Sequence, residues 1–243
     1  MVLERIQGYV RATGQSNEEG ADAILETFLP VLHWTFREQN KICLILDHYP
    51  NGTLHDLVKR EGSLTAAKTL RLVTELTTAL TVFSSLSIVH GSIYPSGIMI
   101  DMKGHVVLSD FGDAKFLDFE YCYPDGSMHG KDEEGAWREK KTYLAPEILL
   151  GWMYSQAADV WGLGMVMYFM LFGKHPFIVN AQNEEKHDSI ALDSTIIYDP
   201  IPTDWLHLIH PVAKDLMLKC LERNPSLRLD IIAVRRHAYF AHV

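Results

Sequence analysis

Cysteine is scarce, and Cys43, Cys122 and Cys220 are scattered along the chain and odd in number. They show neither metal-ligand spacing nor a disulfide framework, so a reducing intracellular setting, cytoplasmic or nuclear, is expected. Long apolar runs are missing too. The most apolar stretch, Val160 to Phe172, has 13 residues, well short of the roughly 20 that a helix needs to cross a bilayer. It reads as a buried core helix. The first residues, MVLERIQGYVRATGQSNEEG, carry no apolar run ahead of a small-residue cleavage site, and no signal peptide is expected. Positive charge is in deficit: 22 Lys and Arg against 31 Asp and Glu leave a net charge of -9. That balance gives no general footprint for nucleic acid or an anionic membrane. No internal repeat or low-complexity tract occurs. What is present is ordinary globular composition, 47% apolar and 22% charged over 243 residues, enough for one large domain or a lobed pair.

The patterns along the chain run from mixed to mainly helical. Ala21 to Phe28 reads as a short helix stopped by Pro30. Val31 to Phe36 and Ile42 to Leu46 read as two strands around an Arg37-Glu38-Gln39-Asn40 turn. From Ser63, apolar residues at Leu70, Val73, Leu76, Leu80 and Phe83 recur every three or four positions. This predicts the longest helix, capped by Ser63 or Thr65. Short strands are expected at Ile98 to Ile100 and Val106 to Leu108, and a long exposed loop over 113–141. A second long helix, with Ser155 as its expected N-cap, ends before Gly173. Asn183 to Pro202 is weakly patterned, and Val212 to Leu221 and Ile231 to His237 read as closing helices.

Seven segments then fall in one order. They are His90-Gly91-Ser92-Ile93-Tyr94-Pro95-Ser96-Gly97-Ile98; Ser109-Asp110-Phe111-Gly112; Tyr143-Leu144-Ala145-Pro146-Glu147; Asp159-Val160-Trp161-Gly162-Leu163-Gly164; Pro176-Phe177; Asn224-Pro225-Ser226-Leu227-Arg228; and His237-Ala238-Tyr239-Phe240. Each alone is weak, but together they resemble the eukaryotic protein kinase family, from about residue 20 onward, most of all its AGC-like serine/threonine branch. The resemblance implies an α+β, protein-kinase-like fold: a mainly α C-lobe and a partial N-lobe of two or so strands and a helix. It implies a partial N-lobe over 1–46, a hinge over 47–52 and a C-lobe over 53–243, with an activation segment at 110–147.

The motifs that are intact are structural in the family. Glu147 is expected to pair with Arg228, Asp159 to accept backbone N–H groups from the loop at His90, and His90, Phe111 and Gly112 to belong to the packing between lobes. The motifs that changed are chemical. Phosphoryl transfer is positioning and charge stabilisation. The family's proton-accepting Asp is Ser92 here, its phosphate-neutralising Lys is Tyr94, and its metal-binding Asn is Gly97. The Thr that bonds that Asp and Lys is Lys140, and the Arg that receives an activation-loop phosphate is Gly91. A serine hydroxyl is a poor base, and losing general-base catalysis is worth ~10²–10⁴ in rate.

Nothing in the chain resembles the family's Gly-rich loop or its Val-Ala-x-Lys strand, and the first lysine is Lys41. The helix acid that would pair with that lysine falls at Ala21. The resemblance therefore implies a truncated N-lobe and half of a nucleotide cleft: Leu46, Asp47, Tyr49 and Met99 around adenine, with Asp110 as the remaining magnesium ligand. ATP and magnesium are expected to bind weakly at most. The expected function is that of a pseudokinase, a binding or regulatory module acting through protein partners, with no nucleic acid and no membrane. A divergent serine/threonine kinase with a substitute base is the alternative, and a decayed product without selected function is the third reading.

Overall fold

The computed structural model describes residues 28–39, 41–117, 134–178, 189–202 and 205–241. Apart from Phe28, the short helix expected over 21–28 lies outside them, as do Cys122 and most of the expected 113–141 loop. The described chain opens with an antiparallel pair, β1 (Leu32–Glu38) and β2 (Lys41–Leu46), in register from Glu38 opposite Lys41 to Trp34 opposite Ile45, with a register shift before Leu32 opposite Leu46.

A helical body follows. α1 (Leu54–Glu61) starts at a capping box: the Thr53 hydroxyl accepts from Asp56 N–H, and the Asp56 carboxylate accepts from Thr53 N–H. α2 (Ala66–Ser85) is capped by Thr65, which accepts from Lys68 N–H. Its apolar stripe of Leu72, Val73, Leu76, Leu80 and Phe83 is buried as the spacing predicts. Three short strands, β3 (Ile88–Val89), β4 (Ile98–Ile100) and β5 (Val106–Leu108), lead to β6 (Lys115–Phe116). β4 pairs with β5, and β3 with β6, both antiparallel.

Three helices come next: α3 (Glu134–Thr142), α4 (Pro146–Leu149) and α5 (Gln156–Phe172). α5 is the axis of the body. Thirteen of its residues, from Ala158 to Met170, are buried, and it packs against α2 on one side and α7 (Pro211–Cys220) on another. A helix apolar all round belongs in a core, since each fully buried large side chain contributes about 1.5–3 kcal/mol. It stops at Gly173, at φ +67°, where a Cβ would collide with the Gly62 carbonyl. α6 (Ser189–Tyr198) precedes α7, and α8 (Ile231–Arg235), capped by Asp230, is followed by a 3-10 turn at Ala238–Phe240.

The structure corrects several expectations. The stretch 113–141 is not a loop throughout, because α3 begins at Glu134; its sequence EGAWREKKT has little apolar content to signal a helix. The weakly patterned 183–202 stretch contains α6. Ser155 precedes α5 as expected, but its side chain makes no capping hydrogen bond. The fold class stands: helices and short sheets combine into an α+β, kinase-like arrangement.

Candidate functional site

The site is assembled by the β4–β5 hairpin. Ile98 is paired with Leu108 and Ile100 with Val106. The residues just before β4 and just after β5 are therefore brought together, and Ser109 N–H donates to Gly97 O at 3.1 Å. The β3–β6 pair then returns the chain past His90. In this way Ser92, Tyr94, Gly97 and Asp110 come to one place, and α3 adds Lys140.

The two charged supporting groups, Asp159 and Arg228, are fully engaged, while both ring nitrogens of His90 and the Trp161 indole N–H are buried without a hydrogen-bond partner among the described residues. Asp159, buried in the first turn of α5, accepts from His90 N–H and Gly91 N–H, each at 2.8 Å. Burial pushes its carboxyl up to about 7, against the pull of those two donors. Gly91 sits at φ +75°, and a Cβ there would come within 3.0 Å of Asp113 O, so the family's larger residue does not fit this backbone without strain. The ring of His90 lies 5.5 Å from Phe83 and 5.2 Å from Phe111, and burial lowers its pKa to about 4. Phe83 and Phe111 stack at 6.0 Å. Arg228 spends all five N–H donors: on both Glu147 oxygens at 2.6 and 2.9 Å, and on the carbonyls of Ala157, Glu222 and Arg223.

The reaction-centre positions are occupied differently. Ser92 is 3% exposed, and its hydroxyl has no hydrogen-bond partner among the described residues. The Tyr94 hydroxyl donates to Asp110 Oδ2 at 2.7 Å. Its ring lies over Gly97, where an added Cβ would meet Tyr94 Cε1 at 2.6 Å. Tyr94 and Gly97 are thus a matched pair, the large ring at one position filling the space the other leaves. Lys140 Nζ reaches Asp110 Oδ2 at 3.1 Å and Asp113 Oδ2 at 2.5 Å. Burial alone would lower the Lys140 ammonium, but Asp113 and Asp110 beside it hold its pKa above the ordinary value. Burial likewise opposes ionisation of Asp110, but Lys140 and the Tyr94 hydroxyl hold its carboxyl below the usual range. Asp110 lies in the left-handed region at φ +57°, and Gly112 N–H donates weakly to it at 3.4 Å.

The expected cleft residues are less converged. Leu46 ends β2 opposite Leu32, and the exposed Asp47 carboxylate bonds His33 Nε2 at 2.6 Å. Tyr49 is half-buried, and burial raises its pKa to about 12. Met99 on β4 is joined to this segment by its bridge to Thr53. Residue spacing alone misses Asp113. The signal was indirect: a lysine at position 140 facing the catalytic loop requires an acid, and Asp113 is the acid next after Asp110.

A bound magnesium ion does not fit these residues. The position between the two carboxylates that could hold it is taken by the Lys140 ammonium, Gly97 offers no side-chain oxygen, and the Tyr94 ring fills the space a side chain at residue 97 would take. Among the described residues no group of three or more His, Cys, Asp or Glu side chains converges as a metal set, and no helix is long and apolar enough to cross a membrane.

Relatives were found for nearly the whole chain. It is 30% identical over 223 residues to serine/threonine-protein kinase sgk-1 of Caenorhabditis elegans, covering 89% of this chain and 43% of that protein. It is 28% identical over 219 residues to serine/threonine protein kinase ypkA of Aspergillus fumigatus, covering 89% and 32%. It is 29% identical over 221 residues to serine/threonine-protein kinase YPK2/YKR2 of Saccharomyces cerevisiae, covering 89% and 30%. The chain thus spans less than half the length of these relatives. The family model described as protein kinase domain matches residues 29–240. With Asp159 under the catalytic loop, the Glu147–Arg228 fork and the Asp-Phe-Gly turn in the family's order, the chain belongs to the protein kinase family.

Proposed function

We propose that this protein is a kinase-like binding and regulatory module that transfers phosphate poorly or not at all. The observation that carries the reading is the joint replacement at Ser92, Tyr94, Gly97 and Lys140: Tyr94 and Lys140 both bond Asp110, Tyr94 covers Gly97, and the Ser92 hydroxyl is buried without a partner among the described residues. A hydroxyl stands where the acceptor's proton needs a base, and no cation stands at position 94 to meet the transferring group. On this reading 1–46, with the β1–β2 hairpin, is a partial N-lobe, 47–52 is the hinge, and 53–243 is the C-lobe with its activation segment at 110–147. Leu46, Asp47, Tyr49 and Met99 then line an adenine site that binds nucleotide weakly. Partners are proteins, and the setting is intracellular. The test is a sensitive γ-phosphate transfer assay on purified protein with a generic peptide mixture. Background turnover, equal in Asp110→Ala, is expected; turnover that Asp110→Ala abolishes would overturn the reading.

A second reading is favoured by the relatives, which carry the name serine/threonine kinase. In it, the chain is a divergent enzyme of that kind, using ATP with a base other than residue 92. The same assay separates the two, because only the enzyme yields phosphopeptide that depends on Asp110.

A further inference from the structure

We propose, resting on the non-transferring reading above, that Lys140 is a tethered cation standing in for a divalent metal at Asp110 and Asp113, so that any nucleotide this cleft takes is bound without magnesium. The geometry is that of a filled cation site. Lys140 Nζ lies between two carboxylate oxygens, at 3.1 Å from Asp110 and 2.5 Å from Asp113. Its side chain is only 11% exposed, against 32% and 25% for the two acids. The same Asp110 oxygen also accepts the Tyr94 hydroxyl, and the other faces Gly112 N–H. A magnesium ion requires oxygen lone pairs at about 2.0–2.1 Å in near-octahedral array. Here the oxygens that face each other, Asp110 Oδ2 and Asp113 Oδ2, are engaged by the ammonium and by the Tyr94 hydroxyl, and a divalent cation placed between them would meet the ammonium at close range.

The lysine is also held in place from both sides along the chain. Glu139 meets His55 Nδ1 of α1 at 3.3 Å, and Lys141 meets Asp193 of α6 at 2.7 Å. Three consecutive residues at the end of α3 therefore reach three different elements, which fixes this end of the helix beside Asp110 and Asp113. Tyr94 adds the fourth side: its ring carries the Lys140 ammonium at 5.8 Å and closes the space over Gly97. One replacement serves another. The cation that the family would take from solvent is supplied by α3, and the tyrosine that removes a phosphate-binding lysine orients the carboxylate toward it.

The experiment is manganese binding to the full chain, read by electron paramagnetic resonance with and without ADP. Wild type is expected to show no manganese bound through Asp110, and any ADP-induced thermal shift is expected to be equal in EDTA and in magnesium. Lys140→Met, which leaves both acids and fills the same volume, is expected to bind manganese at least about tenfold more tightly than wild type, an effect lost when Asp113→Asn is added. If Lys140→Met does not fold alone, manganese is expected to restore its circular dichroism. Manganese on wild type that Asp110→Asn removes would overturn the proposal. So would a Lys140→Met protein that neither gains manganese nor is restored by it. Phosphate transfer is scored separately: turnover without bound metal sinks the non-transferring reading alone, and bound metal without turnover sinks this proposal alone.

Discussion

The charged groups on the two sides of the start of α5 are met in different ways. Behind the helix start, Arg228 and Glu147 are almost fully buried, and all five guanidinium donors are matched to acceptors. In front of it, Ser92 is as buried as Glu147, but its hydroxyl has no partner among the described residues, and Asp110 and Lys140 have been turned toward each other. The first region is what a kinase body needs in order to fold. The second is what a kinase needs in order to react. The family's residue types are kept at the first set of positions and replaced at the second, and the difference teaches that the fold's requirements are separable from the residues at the reaction centre.

The largest expected effect sharpens this contrast. Arg228→Ala leaves the Glu147 carboxylate buried without its counter-ion and strands three carbonyls. Loss of one partner of such a pair costs about 3–5 kcal/mol, to be read as a fall in urea midpoint at unchanged slope. A loss under about 1 kcal/mol would place the fork among weak surface pairs and break the comparison.

Next in size is the coupling of Tyr94 with Gly97. Gly97→Asn, which restores the family's residue, drives a side chain into the Tyr94 ring. Overpacking of this kind costs about 1–3 kcal/mol. In Tyr94→Ala the space is open, so the same Gly97→Asn change should cost at least about 1 kcal/mol less, measured as a double-mutant cycle in chemical denaturation. Additive losses would show that the two replacements are independent.

Smaller again is a pH effect at His175, which lies below the site. Its Nε2 faces Thr142 O at 3.0 Å, and its Nδ1 accepts from Phe177 N–H at 3.2 Å. The ring is therefore neutral, and burial lowers its pKa to about 4 from the ordinary 6.5. Below pH 6.5 the unfolded chain takes a proton that the folded chain refuses. The stability from this group is complete above 6.5 and is lost as the pH falls toward 4, at up to about 1.4 kcal/mol per pH unit. His90 acts with the same sign and Asp159 with the opposite one, so the difference between wild type and His175→Gln isolates the term. The variant's stability should fall less steeply than wild type between pH 6.5 and 4 in parallel melts; equal slopes would refute the assignment.

How much of this was legible in the sequence depends on whether a residue's role is local. α2 and α5 were readable because apolar spacing and continuous burial leave a linear trace. The pairing of Glu147 with Arg228 was readable because seven short motifs fixed the register between residues 81 positions apart. α1 was missed although Thr53-Leu54-His55-Asp56 carries the capping-box spacing. α3 was missed because its charges serve tertiary partners and leave no stripe. The positions of Ser92, Tyr94, Gly97 and Lys140 could be read as departures, but not what they do together. That Tyr94 covers Gly97 and that Lys140 reaches Asp113 as well as Asp110 depend on the β4–β5 pairing and on α3 folding back.

The smallest expected effect is the most direct test of the front region. Ser92 replaces a charged side chain, yet its hydroxyl is as sheltered as a core atom and unbonded to any described residue. A buried, unpaired hydroxyl has lost water and gained nothing, so removing it returns its desolvation cost. Ser92→Ala should therefore leave the thermal midpoint unchanged or raise it, by no more than about 1 kcal/mol of stability. If the alanine variant instead loses more than about 1 kcal/mol, residue 92 holds a hydrogen bond that supports the loop. Position 92 would then belong with Arg228 among the groups kept for folding, and the line drawn between the two regions would have to pass behind it.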